Sequence, residues 1–112
     1  MTERDEQSLQ DVLRAARQIL SYTAGKTRET LASNAMCLDA VLYELVVIGE
    51  AARRLSSELR ESSREIPWRE IIGMRSVITH DYDHTDENEL WLVIERDLPM
   101  LIGQVEKLLQ QG

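Results

Sequence analysis

Apolar residues at Leu9, Val12, Leu13, Ala16, Ile19 and Leu20 return every three or four positions, with Arg14, Arg17 and Gln18 between them. That rhythm draws one apolar stripe along a helix and predicts an amphipathic helix from Glu6 to about Ala24. Gly25 follows as a natural C-terminal stop. Thr27 to Ala32 suits a short turn of helix capped by Thr27, and Ser33 or Asn34 suits the cap of the next element. From about Ala35 to Ser62, a seam of Leu38, Leu42, Leu45, Gly49, Ala52, Leu55 and Leu59 runs without interruption. Val41, Val46, Val47 and Ile48 widen it, so this second long helix is expected to be central or covered by a partner. Gly49 and Ala52 are small enough to let a neighbouring helix approach. On the outer side, Glu50 and Arg54 are spaced to pair, and Glu50 and Arg53 are expected on a solvated face.

Residues 62–66 read as a connector, and Pro67 suits a first helical position because it has no N–H to leave orphaned. Trp68, Ile71, Arg75, Ile78 and Tyr82 then share one face of a third helix. The aspartate-rich run from Asp81 to Asp86 interrupts the pattern, and Asp86 with Glu89 three residues later predicts a capped helix from about Glu87. Its first stretch, Leu90 to Ile94, is apolar all round and suggests burial on more than one side. Pro99 removes the bond to the Glu95 carbonyl, which predicts a kink there or a restart capped by Asp97. Leu101, Val105, Leu108 and Leu109 carry the seam to the end. Nothing alternates as a strand would. The expected fold is all-α, an up-and-down bundle of four main helices plus a short one, in a single domain over residues 1–112.

Composition agrees with a helical bundle. The chain has no phenylalanine and five aromatics, so its core must be built from Leu, Ile, Val, Ala and Met. One cysteine, Cys37, excludes an internal disulfide and supplies no metal-ligand spacing. The chain has no apolar run long enough to span a membrane, and its first residues have the wrong composition for a signal peptide, so the expected location is the cytoplasm. The net charge of −7 argues against a general nucleic-acid coat. Its distribution changes the picture: residues 50–80 hold six arginines, no lysine and five acids, whereas residues 81–112 hold eight acids and two bases. A local phosphate site fits the first of these segments; broad capture of RNA does not.

The candidate chemistry sits in Arg75-Ser76-Val77-Ile78-Thr79-His80-Asp81-Tyr82. Arginine brings a permanent forked cation that matches phosphate oxygens, and histidine moves protons near neutral pH. On an ideal helix Arg75 and Tyr82 lie about 20° apart, but His80 is roughly 140° from Arg75. One straight helix therefore cannot aim all three at one substrate. Either the helix frays near Thr79 or a second copy of the chain completes the site. The spacing alone equally allows a structural role: Arg75 paired with a carboxylate, His80 closing a helix C-terminus and Tyr82 packing. His80, Asp81, Asp83, His84 and Asp86 also invite a metal reading. They match no familiar ligand spacing, and aspartates in a turn before a capped helix are ordinary turn chemistry. No metal or other cofactor is expected.

The arrangement as a whole resembles the HepT-like branch of the HEPN proteins. Arg75-x4-His80-x-Tyr82 corresponds to that family's Arg-x4-His-x-Tyr motif. Asp39-Ala40-Val41-Leu42, Val47-Ile48-Gly49-Glu50-Ala51-Ala52, Ile66-Pro67-Trp68-Arg69-Glu70-Ile71 with Gly73-Met74-Arg75, and Ile94-Glu95-Arg96-Asp97-Leu98-Pro99 resemble family blocks in the family order. The resemblance implies a homodimer whose two motif helices line a shared cleft, which would answer the angular problem. It implies an endoribonuclease toxin that cuts RNA (tRNA or mRNA) without metal by attack of the 2′-hydroxyl, with Arg75 and His80 as catalytic residues. It also implies an MntA-like minimal nucleotidyltransferase antitoxin that attaches AMP to Tyr82. Ser76 stands where the family often has asparagine and can still donate one hydrogen bond in support. Glu44-Leu45-Val46 departs from the family block before Ile-Gly-Glu without touching the motif. Two alternatives remain: a catalytically weak helical partner that docks the nucleotidyltransferase and presents Tyr82, and a nucleotide-binding dimer without activity on RNA.

Overall fold

The computed structural model describes residues 1–73 and 87–111. Its elements are α1 (Glu3–Thr23), α2 (Arg28–Ala32), α3 (Ala35–Arg53) and α4 (Ser57–Ser62), then a helical stretch over residues 68–73 (α5). After these come α6 (Glu87–Leu92), a π-helical turn (Val93–Asp97) and α7 (Leu98–Gln111). The described residues contain no strand, so the all-α expectation holds. None of their helices is long and apolar enough to cross a membrane.

The frame is α1 packed along α3, with α7 on another side of α1. The stripe read from the sequence is the stripe that is buried: Leu9, Val12, Ala16 and Ile19 are fully covered, while Arg14, Arg17 and Gln18 face outward. Val41, Leu45, Ile48 and Ala52 meet them from α3, and Leu98, Leu101 and Val105 from α7. Burying such side chains is worth roughly 1.5–3 kcal/mol each, and this apolar seam dominates the stability of the fold.

Local chemistry sets most of the boundaries. α1 starts three residues before its expected beginning because the Thr2 hydroxyl accepts from the Asp5 amide at 3.0 Å, and acids fill its first turn. Gly25 takes φ +75°, the left-handed conformation a helix stop needs. Thr27 and Thr30 form a reciprocal cap on α2. Asn34, not Ser33, caps α3, its side-chain oxygen accepting from the Cys37 amide at 3.0 Å.

Four expectations need correction. The long helix from Ala35 to Ser62 is two helices, α3 and α4, broken at Arg54–Ser56. In an unbroken helix the Ser56 amide would return to the Ala52 carbonyl; here it donates to Asp5 Oδ1 at 2.8 Å, and the Ser56 hydroxyl donates to Asp5 Oδ2 at 2.6 Å. The same hydroxyl caps α4 by accepting from the Leu59 amide at 3.2 Å. A buried carboxylate on α1 thus captures the first turn of α4 in place of a continued helical ladder. Secondly, Arg54 pairs with Asp11 at 3.2 Å rather than lying beside Glu50, and Glu50 is half-buried rather than solvated. Thirdly, Pro99 does not force a restart capped by Asp97. The chain widens into a π turn in which the Leu98 amide reaches the Val93 carbonyl, and Asp97 pairs with Arg96 at 3.0 Å. A wider turn makes room for a proline ring that would otherwise crowd the carbonyl four residues back. Leu90 to Ile94 is also buried on one side only: Leu90 and Ile94 are covered, and Leu92 is exposed.

Asp5 supplies a test of this frame. Burial pushes its carboxyl up, but the hydrogen bonds from the Ser56 hydroxyl, the Ser56 amide and Thr2 outweigh it and hold the group below its ordinary value of 3.8. A depressed carboxyl stabilises the fold above its unfolded value, and that stabilisation is lost as pH falls through the lower, folded value. Asp5→Ala removes two charge-assisted bonds and leaves the Ser56 amide unpaired. It should cost about 2–3 kcal/mol near neutral pH, read by urea denaturation. Below pH 3.8 the mutant and wild-type curves should converge.

Candidate functional site

Arg75, Ser76, His80 and Tyr82 all fall within residues 74–86, outside the described residues, and so do the metal candidates Asp81, Asp83, His84 and Asp86. What the structure places is the frame on either side. Before the motif, Ser63 is fully buried and its hydroxyl donates to the Leu59 carbonyl at 2.6 Å. The same oxygen accepts from the Trp68 indole N–H at 2.9 Å. Trp68 is 4% exposed and Ile71 6%, so the start of α5 is bolted into the core seven and four residues ahead of Arg75 in the sequence. Pro67 stands just outside the first turn, its carbonyl accepting from the Ile71 amide at 3.0 Å. After the motif, Leu90 is buried, and Arg28 of α2 donates to the Asn88 side chain. Both ends of the motif segment are therefore tied to the bundle. Among the described residues no group of three or more His, Cys, Asp or Glu side chains gathers as a metal site.

Electrostatics around the frame is uneven. Arg14, Arg17, Arg28, Arg54 and Arg96 each have a carboxylate oxygen within 3.2 Å. Arg60, Arg64 and Arg69 have no ion pair among the described residues; they border an open hollow of about 540 Å³ whose other walls include Ile66, Pro67 and Ile72. The Nε of Arg60 is buried there without a hydrogen-bond acceptor among the described residues. The arginine-only stretch was visible in the sequence, but its convergence on one hollow was not, because the three residues come from α4, the connector and α5. On α3, burial pushes the Glu44 carboxyl up, and the charge of Arg14 partly offsets this.

The described frame is all-helical, and in the sequence it leads up to the arginine–histidine–tyrosine string, the combination expected of small helical RNA-cutting proteins. Comparison with known families makes the assignment specific: residues 12–108 match the family described as Ribonuclease HepT-like, and the chain belongs to it. It is accordingly an endoribonuclease by family. It is 32% identical over 107 residues to a Methanocaldococcus jannaschii protein named "Putative RNase MJ1380", covering 95% of this chain and 98% of that one. It is 33% identical over 100 residues to "Probable ribonuclease HepT" of Thermococcus cleftensis, covering 89% of this chain and 91% of that one. A third relative, "Putative RNase TTE0752" of Caldanaerobacter subterraneus, is 30% identical over 103 residues, covering 92% of each. No solved structure gives a significant match.

Proposed function

We propose that this protein is the toxin of a toxin–antitoxin pair, a metal-independent endoribonuclease that acts as a homodimer. The observation that carries the reading is family membership across residues 12–108 together with the order Arg75-x4-His80-x-Tyr82 inside that span. In the proposed reaction His80 takes the proton of the 2′-hydroxyl, whose oxygen attacks the adjacent phosphorus. The bond to the 5′-oxygen breaks, and that oxygen leaves with a proton supplied by an imidazolium. The products are a 2′,3′-cyclic phosphate and a 5′-hydroxyl. Arg75 stabilises the charge that builds on the phosphoryl oxygens, and Ser76 supports it with a hydrogen bond. Two copies resolve the roughly 140° separation by setting Arg75 of one chain against His80 of the other across a common cleft.

Exposed apolar side chains favour self-association. Met36 is 83% exposed and Tyr43 67%, and they stand on one outer face of α3 with Ala40 and Val47. A stripe of this kind on a small acidic protein is the sort of patch an interface covers. Tyr43→Glu should convert a dimer to monomer in sedimentation or light-scattering measurements and should abolish cleavage with it. A dimer that survives both Tyr43→Glu and Met36→Glu would place the interface elsewhere.

Silencing is assigned to a minimal nucleotidyltransferase of the MntA type that transfers AMP to the Tyr82 hydroxyl. The added phosphodiester puts a negative charge beside Arg75 and a bulky group in the cleft, which excludes RNA by repulsion and by volume. Co-expression with such an enzyme should add the mass of one adenylyl group to the native protein and none to Tyr82→Phe. Incubating the purified protein with tRNA and mRNA in EDTA, beside His80→Ala, tests the nuclease itself. Adenylylation without any His80-dependent cleavage would favour the docking-partner reading instead.

A further inference from the structure

We propose that the hollow bordered by Arg60, Arg64 and Arg69 is a second RNA-contacting site, which grips the phosphates of a single strand beside the bond to be cut. The proposal rests on the ribonuclease reading and adds to it a substrate-holding surface outside the Arg75–His80 motif.

Three observations converge. First, the protein carries a net charge of −7, yet three arginines with no ion pair among the described residues meet at one place. Five other arginines each have a carboxylate within 3.2 Å; Arg4 and Arg53 have none among the described residues either, but neither lines the hollow. Second, the Arg60 Nε has no acceptor among the described residues, so this side chain is not held by a described protein group through that atom. Third, the space is large, about 540 Å³, and its lining combines the cations with apolar surface from Pro67 and Ile72.

That combination matches the two faces of single-stranded RNA. Guanidinium forks hold phosphate oxygens in pairs, and flat apolar surface receives the face of an unpaired base. A bare anion would need no apolar wall. Glu70 also lines the hollow and sets its limit: it repels phosphate on its own side and confines the strand to the side of the three arginines. Trp68 lines it too, but its ring is buried and its N–H is taken by Ser63, so it shapes the hollow and is not a stacking platform. In the sequence Arg69 lies six residues before Arg75. A strand seated on α5 therefore lies close in the chain to the motif.

The test is binding of a short fluorescein-labelled single-stranded RNA to the full chain in the His80→Ala background, across a salt series. Each phosphate contact on a single strand contributes about −0.7 to the slope of log affinity against log salt, so Arg60→Gln/Arg64→Gln/Arg69→Gln should flatten that slope by about two. With His80 restored, the triple variant should raise KM for RNA at least about tenfold and leave kcat within about twofold, the pattern of lost ground-state binding. Arg53→Gln, an exposed arginine outside the hollow, should change neither. Should Arg60→Gln unfold the protein, the pair Arg64→Gln/Arg69→Gln, both exposed, should still flatten the slope by more than about one. An unchanged slope and KM in a folded variant overturns the proposal while leaving the nuclease intact. Loss of binding to an acidic protein partner with RNA affinity unchanged overturns it as well. Wild-type protein that binds RNA with the full slope but cuts none sinks the nuclease reading and leaves the hollow standing.

Discussion

His80→Ala should lower the rate of RNA cleavage by about 10²–10⁴-fold while RNA binding changes little. The imidazole is the only group in the motif that can both accept the 2′-hydroxyl proton and return one to the leaving oxygen. Arg75→Ala should cost about 10²–10³-fold in kcat, because a cation aimed at developing phosphoryl charge acts in the transition state. Arg75→Lys should recover only part of this, since a point charge replaces a planar fork. Mixing the two inactive variants gives a sharper result. If each cleft draws Arg75 from one chain and His80 from the other, an Arg75→Ala/His80→Ala heterodimer retains one cleft with both groups intact. Activity reappearing on mixing supports the shared cleft; two variants that never complement argue that each chain works alone.

Trp68→Ala should remove about 3–5 kcal/mol of stability, a large share of the 5–15 kcal/mol that holds a small domain together. The indole is 4% exposed, lies at the head of α5, and donates to the buried Ser63 hydroxyl at 2.9 Å. Removing it opens a cavity and takes away the bond that fixes α5 against the end of α4. Trp68→Phe keeps most of the packing and should cost nearer 1–2 kcal/mol, from the lost hydrogen bond and the smaller ring. Urea melts followed by far-UV circular dichroism separate the two. Trp68→Phe should also lower cleavage, since the residue holds α5, the last described element before the motif. A Trp68→Phe protein with native activity would show that the motif does not depend on this anchor.

Much of the fold was legible because core-facing periodicity is set by burial, and burial is what the apolar positions record. The α1 stripe and the cap at Thr27 follow from residue type and spacing alone, while the cap of α3 was narrowed to Ser33 or Asn34. The break between α3 and α4 did not, for a definite reason. Ala52, Leu55 and Leu59 keep helical spacing straight across it and are all buried. What interrupts the helix is a bond from Ser56 to Asp5, 51 residues away in the chain, and no local window contains both. The π turn before Pro99 was half legible: the proline announced trouble, while the choice between kink, restart and widened turn belongs to packing. At the site, the sequence offered Arg75, His80 and Tyr82 as candidates, which lie outside the described residues, and it displayed the arginine-only segment. It was silent on where Arg60, Arg64 and Arg69 meet, since their convergence needs a helix, a connector and a second helix folded together.

The central claim is that RNA itself supplies the nucleophile, and the chemistry of the cut ends tests it most directly. The native protein should be given an oligoribonucleotide in EDTA, alongside the same strand carrying a single 2′-deoxy sugar at the mapped cleavage position, and the products weighed by mass spectrometry. The account predicts a 2′,3′-cyclic phosphate and a 5′-hydroxyl from the first strand and no cut at that position in the second. Ends bearing a 3′-hydroxyl and a 5′-phosphate, or cleavage that survives the 2′-deoxy substitution, would contradict it.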